Sequence, residues 1–231
     1  MQPNKLTSAL KAAFPHTIPV FAGYCFLGMS YGFLMKASGF PFWYPILTSM
    51  VIFAGSMEFM TVNLLLGAFD LLQALALTLM INARHLFYGL SMLGKYRNME
   101  AKKPYLIFGL TDETFSVNCA TEPPEGIDRG WFYFFITILD HSYWVLGATL
   151  GGIFGSLISF NTEGLDFVMT ALFVVILLEH LLTTENKKSA ITGMTLSLAM
   201  LLVFGADGFM IPAMASILVV LTLRAKKEVA A

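Results

Sequence analysis

Charged residues are scarce in this 231-residue chain, where they make up 13%, against about a quarter in ordinary soluble domains. Hydrophobic residues make up 57%. This much apolar surface cannot be buried in one soluble core of this size, so we expect lipid to be the solvent. The net charge of −1 offers no basic face that would indicate binding to nucleic acid.

Cysteine is also rare, and the motifs of common enzymes and metal sites are absent. The two cysteines, Cys25 and Cys119, lie in apolar runs, which favours buried thiols over a disulfide. The sequence contains no H-E-x-x-H, no cysteine pair at zinc spacing and no G-x-S-x-G. We therefore expect no metal, no other cofactor and no enzyme. An intramembrane enzyme that uses Glu113 or His141 has no motif to support it.

Long apolar segments are present instead, and they predict an all-α polytopic membrane protein. A helix needs about 20 mostly apolar residues to cross a bilayer. A weak candidate, 104–121, contains Asp112 and Glu113. The stronger segments are 14–36, 43–69, 70–93, 131–158, 164–183, 187–205 and 207–224. Because the connections between them are short, we expect residues 1–231 to form a single transmembrane domain.

Basic loops determine the predicted topology, because the positive-inside rule places them in the cytoplasm. Lysine and arginine cluster at 95–103, 187–188 and 224–227. If successive spans cross in alternate directions, counting back from the C-terminus places 121–130 in the cytoplasm as well. Because 95–103 is also cytoplasmic, segment 104–121 has to enter the membrane and return to the same side. The same logic places the N-terminus inside and makes 43–69 a second re-entrant segment, broken at 54–56. We expect about six full helices and two broken or re-entrant segments, with seven or eight conventional spans as the alternative.

Two short patterns recur at nearly the same spacing. Residues 58–63 and 113–118 both match E-x-x-[ST]-V-N, at an offset of 55. His85 and His141, each followed by tyrosine and then glycine, are 56 residues apart. Six-residue similarities also arise by chance, but two landmarks at nearly one spacing suggest an internal repeat. With one hairpin and one full helix per copy, the copies would be inverted, as in many secondary transporters.

Arg84 is the strongest functional signal, because it lies in the middle of the apolar segment 79–93. A charge at the bilayer centre costs about 2.5–3.5 kcal/mol, so it persists only where it faces a partner, a cavity or a substrate. The planar guanidinium group of Arg84 can donate two parallel hydrogen bonds to a carboxylate ligand. The alternatives are an internal ion pair with Glu58, Glu113 or Asp140, and a side chain that reaches the membrane surface.

Acidic residues inside apolar segments are the next candidates. Glu58 and Glu113 each follow a glycine-containing break, and unwound backbone is tolerated in lipid only beside a cavity or a ligand. Asp112 adds a second acid to the same segment. Such acids can bind an ammonium group or carry a proton. The alternative is that 104–121 is a partly aqueous loop whose carboxylates are solvated.

Histidines and amides complete the set of candidates. His85 and His141 could relay protons, although a histidine in a helix is also commonly a hydrogen-bonded core residue. Asn82 and Asn118 are assigned to the substrate site, where their amides would cap or bridge broken backbone. A separate small-residue face predicts close approach of another helix, in this chain or in a partner. Its members are Gly147, Gly151, Gly152 and Gly155.

With these residues in view, the chain resembles the AzlC family, the large subunit of branched-chain amino acid exporters. The likeness covers residues 14–220, and the Arg-His-x-x-Tyr-Gly and Gly-Leu-Thr-Asp-Glu pieces are its specific part. Some relatives have Gln at the position of Glu58 and Asp at that of Asn82. The matching pieces are Ala54 to Phe59, Arg84-His85 with Tyr88-Gly89, Phe108 to Glu113, and Trp144 with Gly147.

The resemblance implies a proton-coupled secondary carrier in the cell inner membrane, with both termini cytoplasmic. It would export valine, leucine, isoleucine and methionine together with a small AzlD-type membrane subunit. In this interpretation Arg84 holds the substrate carboxylate, while Glu113 and Asp112 hold its ammonium group or the proton. Coupling would depend on Glu113 more than on Glu58. The alternatives are a small-anion channel with Arg84 as its selectivity charge, or another small-solute permease.

Overall fold

A computed structural model describes residues 5–68, 70–155 and 187–229, together with a few positions between 174 and 182. All regular elements in these ranges are helices, so the predicted all-α class is confirmed. The chain divides into two compact units, Met1–Leu165 and Asp166–Ala231, and each is described by itself. That the whole chain acts as one domain stays a prediction. The predicted span 164–183 lies outside the described residues, apart from those isolated positions.

Three long helices and two pairs of short ones make up the described part of the first unit. The long helices α1, α4 and α7 correspond to the predicted spans 14–36, 70–93 and 131–158. Length and composition mark α1 as a helix that could cross a membrane. The elements are α1 (Lys5–Ala37), α2 (Trp43–Val51), α3 (Gly55–Leu66), α4 (Leu71–Met92), a 3-10 helix (Glu100–Lys102), α5 (Lys103–Phe108), α6 (Asp112–Ala120) and α7 (Arg129–Phe154).

Glycines let α1 and α7 run parallel and in close contact. Gly28 lies against the backbone of Trp144 and Ala148, and Gly32 lies against Ala148 and Gly152. A Cβ atom added at Gly32 would come within 2.4 Å of the Ala148 carbonyl oxygen, so any larger side chain would push the helices apart. The small-residue face predicted on α7 therefore packs within the chain, against α1.

The segment 43–69 is broken as predicted, although the break lies at 52–54 rather than at 54–56. Phe53 adopts a positive φ of 44° there, a conformation that interrupts a helix. Helix α2 runs antiparallel to α7, from Pro45 beside Gly152 to the Ser49 carbonyl, 3.1 Å from His141 Nε2. The following helix α3 then turns back in the opposite direction.

The return of α3 is visible in its neighbours. Gly55, the first residue of α3, lies against the Trp144 ring. Phe59, one turn later, packs against Tyr31 with ring centroids 5.5 Å apart, near the level of Gly32 and the C-terminal half of α7. Helices α2 and α3 thus form a hairpin that enters from, and returns to, the C-terminal end of α7.

The α5–α6 segment forms a second hairpin, from the opposite end. At its beginning the Lys102 ammonium lies 4.4 Å from the centre of the Trp131 ring, in the first turn of α7. At its end the Tyr133 hydroxyl donates a hydrogen bond of 2.9 Å to the Thr121 carbonyl. Since both ends of this segment lie beside the N-terminal end of α7, the chain enters and returns, as the charge distribution predicted.

The two hairpins meet at their breaks. The rings of Phe53 and Phe108 lie 6.3 Å apart, and His141 stacks on Phe53 at 4.2 Å. The longest of the four hairpin helices, α3, has 12 residues. At 1.5 Å per residue it spans about 18 Å, well short of the roughly 30 Å of a bilayer core. Two hairpins that enter from opposite ends of α7 have the form expected of an inverted repeat. The number of membrane-spanning helices stays a prediction.

Lys95 holds the returning end of α6. Its ammonium donates to the carbonyls of Asn118, Cys119 and Thr121 at 2.8, 2.7 and 2.9 Å, groups that a helix end otherwise leaves without partners. The same ammonium lies 3.2 Å from Glu122 Oε1. By this hydrogen bond Lys95 lowers the pKa of the exposed Glu122 carboxyl.

The cysteines are only partly as expected. Both are free, which agrees with the prediction of thiols rather than a disulfide. The expectation that both are buried was wrong: Cys25 is half-buried and Cys119 is exposed. The reason is that Cys119 belongs to the last turn of α6, which returns to the surface at the end of a short hairpin instead of continuing as a span.

The second unit contains an antiparallel helix pair within the residues described for it. They are α8 (Lys187–Gly208) and α9 (Met210–Val229), which correspond to the predicted spans 187–205 and 207–224. Gly205, with a φ of 72°, kinks α8 near its end. Arg224 donates to the Thr192 hydroxyl at 2.6 Å. The Lys187–Gly205 stretch is long and apolar enough to cross a membrane.

We predict that Gly32→Ala lowers the melting temperature of the protein purified in detergent. The added methyl group would overlap α7 backbone atoms, and overpacking of this kind typically costs about 1–3 kcal/mol. Gly23→Ala is the matched control in the same helix, because a Cβ atom at Gly23 meets no other atom within 4 Å. Equal melting temperatures for the two variants would contradict the close contact between α1 and α7.

Candidate functional site

Arg84 joins the two hairpins at the point where their short helices begin. Its Nε atom lies 3.0 Å from Asp112 Oδ1, and its Nη2 atom donates to the Ser56 hydroxyl at 2.8 Å. Asp112 is the first residue of α6 and Ser56 the second of α3. A helix N-terminus carries a partial positive charge and free N–H groups. Arg84 and both N-termini therefore place positive charge around the carboxylate of Asp112.

The Arg84–Asp112 pair is only partly buried by the described residues. The two side chains are 29% and 21% exposed, so neither is sealed in the core. Tyr88, one turn after Arg84, donates to the same Asp112 oxygen at 2.7 Å and stacks on Phe115 at 4.4 Å. The pair is thus held on one side by hydroxyl and aromatic groups and stays open on another.

Glu113 lies beside this pair but has a different partner. The Tyr24 hydroxyl of α1 donates to Glu113 Oε2 at 2.9 Å, and it also contacts the Thr111 hydroxyl. Thr111 caps α6, since its hydroxyl accepts a hydrogen bond from the Thr114 amide at 3.3 Å. Glu113 is thereby connected to α1 and to the break before α6.

Glu58 lies in a separate, fully buried position. Its Oε1 atom accepts hydrogen bonds from Trp144 Nε1 at 2.9 Å and from the Ala54 amide at 3.2 Å. Its Oε2 atom accepts none from any described residue. The carboxyl group therefore ties the first turn of α3 to α7 and closes the break between α2 and α3, which is a structural task.

His141 and Asn118 lie in the packing around the site. His141 Nδ1 lies 2.9 Å from the Tyr105 hydroxyl and its Nε2 lies 3.1 Å from the Ser49 carbonyl, so the ring links α2, α5 and α7. The Asn118 amide donates to Tyr96 at 2.9 Å and to Thr137 at 3.4 Å, on the far half of α6. The structure does not bring Asn118 to Arg84.

The remaining two candidates lie on α4 with Arg84. His85 is half-buried, and its ring centroid lies 5.6 Å from that of Tyr88. Asn82 is half-buried as well, and its Oδ1 atom has no hydrogen-bond partner among the residues described. Because residues two apart on a helix face different directions, Asn82 does not share the Arg84 surface. Of the predicted residues, the structure brings Arg84, Asp112 and Glu113 together.

Three further residues belong to this region and were not assigned to it from the sequence. Asp140 is fully buried in the middle of α7, and an acid inside an apolar segment is the same signal that identified Arg84. It was considered only as a partner for Arg84. Ser56 and Tyr24 carry no such signal, because hydroxyls and aromatic rings are common throughout the sequence.

The fold and this polar centre together define a helical membrane protein with a charged site between two opposed hairpins. The family model described as AzlC protein matches residues 19–158, which include both hairpins and all the residues discussed in this section. The chain belongs to the AzlC family. No solved structure matches it.

Relatives of this chain are described as membrane and transport proteins. It is 57% identical over 223 residues to the branched-chain amino acid transport protein AzlC of Bacillus subtilis, covering 96% of this chain and 88% of the relative. It is 44% identical over 225 residues to an uncharacterized membrane protein of Haemophilus influenzae, covering 97% and 92%. The inner membrane protein YgaZ of Escherichia coli is 29% identical over 196 residues, covering 78% and 79%.

We predict that Trp144→Phe destabilises the protein by about 1–3 kcal/mol, because it leaves a buried acceptor of Glu58 without its indole donor. Thermal unfolding in detergent measures the effect. Trp131→Phe is the control, since this tryptophan of the same helix is only partly buried. In a double-mutant cycle, Glu58→Leu should cost less in the Trp144→Phe background than in the wild type. Additive effects would show that the two side chains do not interact.

Proposed function

We propose that this chain is the large subunit of a secondary exporter of branched-chain amino acids. Valine, leucine and isoleucine are the expected substrates, with methionine as a further one. Export would be coupled to protons and would require a small AzlD-type membrane subunit. The proposal rests on the partly exposed Arg84–Asp112 pair at the junction of two hairpins, together with the similarity to the Bacillus subtilis transport protein.

The ion pair suits a zwitterionic substrate. A substrate carboxylate would replace Asp112 on the Arg84 fork, and the released Asp112, with Glu113, would accept the substrate ammonium group. One ion pair is thereby exchanged for two, so no charge is left uncompensated in an apolar region. The N-termini of α3 and α6 add N–H donors for the carboxylate, as half-helices do in other carriers.

The apolar part of the substrate needs an apolar neighbour at the right distance. Phe115 lies three residues after Asp112 on α6, on the same side of the helix, and stacks on Tyr88. An aliphatic side chain could pack against its free face while the charged groups contact Arg84 and Asp112. A pocket of this kind favours branched or thioether side chains over polar ones.

The two hairpins provide a means of alternating access. They enter from opposite ends of α7 and meet around Phe53 and Phe108. Movement of one hairpin would expose the Arg84 region to one side, and movement of the other to the opposite side. An anion channel is the less suitable alternative, because Asp112 at 3.0 Å neutralises the charge that would select anions.

The proposed topology has six full helices, two re-entrant hairpins and both termini in the cytoplasm. We predict that Phe40→Cys reacts with an impermeant thiol reagent added outside the cell, whereas Glu125→Cys reacts only after permeabilisation. The measurement uses a background in which Cys25 and Cys119 are replaced by serine. Labelling of both positions from the same side would contradict the inverted arrangement.

The function is tested by efflux of labelled leucine from cells or proteoliposomes that contain the chain with a candidate small subunit. Export should be saturable and should respond to an imposed proton gradient. If leucine efflux is not detected, either with or without the gradient, the proposal is contradicted. A flux of chloride that does not saturate would favour the channel.

We predict that Arg84→Ala abolishes export while membrane insertion is retained, because the substrate carboxylate loses its cation. Arg84→Lys keeps the charge but loses the planar fork, so we expect partial activity with a raised KM. Arg97→Ala is the control, since Arg97 is exposed in the loop after α4. Wild-type export by Arg84→Ala would end the assignment of this residue.

A further inference from the structure

A continuous file of hydroxyl groups joins two carboxyl groups in the first unit, Glu113 on α6 and Asp140 on α7. The Tyr24 hydroxyl contacts both Glu113 and Thr111. Thr111 Oγ1 lies 3.0 Å from Thr114 Oγ1, and Thr114 Oγ1 lies 2.9 Å from Asp140 Oδ2. Five side chains from α1, α6, α7 and the break before α6 are thus connected by four oxygen–oxygen contacts.

The number of protons in this file is fixed by chemistry. Each of the four contacts is at hydrogen-bond distance and is attractive only with one proton between its two oxygens, because two oxygens that face each other without a hydrogen repel. The three hydroxyls of Tyr24, Thr111 and Thr114 supply three protons. If both carboxyl groups were ionised, one contact would have none. The file is complete when a fourth proton resides on Glu113 or on Asp140.

Two arrangements satisfy all four contacts. With the proton on Glu113, each group donates toward Asp140, in the order Glu113, Tyr24, Thr111, Thr114. With the proton on Asp140, every hydroxyl reverses and donates toward Glu113. Conversion of one into the other moves one proton along each contact, with no net change in charge and no other reactant. Thr111 can accept from the Thr114 amide in both arrangements.

Burial favours transfer along the file over exchange with water. Tyr24 is 4% exposed and Thr114 and Asp140 are fully buried. Asp140 Oδ1 accepts no hydrogen bond from the residues described, and a charged oxygen without donors is costly in such surroundings. A proton held at Asp140 removes that charge, whereas Glu113, at the other end, is only half-buried and lies beside the substrate pair.

We propose that Glu113 and Asp140 share a single proton through Tyr24, Thr111 and Thr114, and that this file carries the coupling proton of transport. The second part rests on the proposed function and adds two residues to it: Asp140 as the buried proton acceptor and Tyr24 as the link. When the proton is on Asp140, Glu113 is negative and can hold the substrate ammonium group. When a proton taken up from water on the side of release makes Glu113 neutral again, that attraction is lost and the substrate leaves. After the site opens to the other side, Glu113 gives one proton to water there, so that one proton crosses for each substrate.

The charged and titratable neighbours of the file come from several helices. At the Glu113 end of the file, the neighbouring titratable group on α6 is Asp112. Asp112 contacts Arg84 and Tyr88 of α4, so this ion pair is the nearest charge to Glu113. At the other end, the titratable groups on the helices packed around Asp140 are His141, Tyr105 and Glu58. His141 follows Asp140 on α7, Tyr105 on α5 bonds to His141, and Glu58 on α3 bonds to Trp144, one turn beyond Asp140.

The transport test compares Tyr24→Phe with Tyr143→Phe in the chain co-expressed with its small subunit. Tyr24→Phe keeps the ring contacts with Phe53 and Trp144 but removes the hydroxyl that joins Glu113 to Thr111. We expect gradient-driven leucine export to fall by about tenfold or more, while the variant still purifies from the membrane as a folded protein. Tyr143→Phe removes a hydroxyl from the same helix interface, bonded to Thr17, and should leave export unchanged.

The outcomes separate the two proposals. If the wild type exports no leucine, the proposed function fails, whatever Tyr24 does. If the wild type exports leucine in response to the gradient and Tyr24→Phe does so equally well, the proton file is overturned. Thermal unfolding of the purified variant in detergent shows whether Tyr24→Phe is folded. Thr114→Val, which removes a hydroxyl at nearly constant volume, should reproduce the defect, and Thr114→Ser should restore coupling.

An infrared measurement tests the shared proton without any transport. The purified chain should show the C=O stretching band of a protonated carboxyl group at neutral pH, and this band should disappear or shift in Asp140→Asn. It should also shift in Tyr24→Phe, because the hydrogen bonding of both carboxyl groups changes, but not in Tyr143→Phe. A wild-type spectrum without such a band, or a band unaffected by both Asp140→Asn and Tyr24→Phe, would overturn the shared proton.

Discussion

The contact of Arg84 with both hairpins is the constraint on which the polar centre depends. A guanidinium group in apolar surroundings persists only with partners, and Asp112 and Ser56 provide them from the first turns of α6 and α3. Those turns lie in the middle of the protein only because each hairpin is broken. The charge and the breaks therefore require each other: the breaks bring the partners to Arg84, and Arg84 balances the acid that one break introduces.

The packing around this contact explains how two short hairpins are held in place. Glycines bring α1 and α7 close together, with Gly32 opposite Ala148, and this pair forms the surface against which both hairpins lie. His141 then links them, since one ring nitrogen contacts Ser49 on α2 and the other contacts Tyr105 on α5. These two contacts make the half-buried His141 ring a link between the hairpins, and its role as a proton relay stays a prediction.

Much of this architecture could be predicted from charge and hydropathy. The basic loop at 95–103, together with alternation counted back from the C-terminus, required segment 104–121 to return, and the structure places its two ends at one end of α7. The partner of Arg84 could not be predicted in the same way. Glu58, Glu113 and Asp140 were named as partners, whereas Asp112 is the acid in contact. Which of two adjacent acids faces α4 depends on the rotation of a nine-residue helix, and spacing alone does not fix that rotation.

The first unit holds four acids in or beside its hairpins, and each is compensated differently. Asp112 pairs with Arg84, and Glu58 accepts hydrogen bonds from Trp144 and Ala54. Glu113 and Asp140 have only hydroxyl groups between them, so their balance has to come from a proton. In the proposed exporter, a zwitterionic substrate would bring equal positive and negative charge and would leave this excess of acids unchanged. The position of the shared proton would then be the variable that substrate binding alters, and the proposed coupling would need no separate ion site.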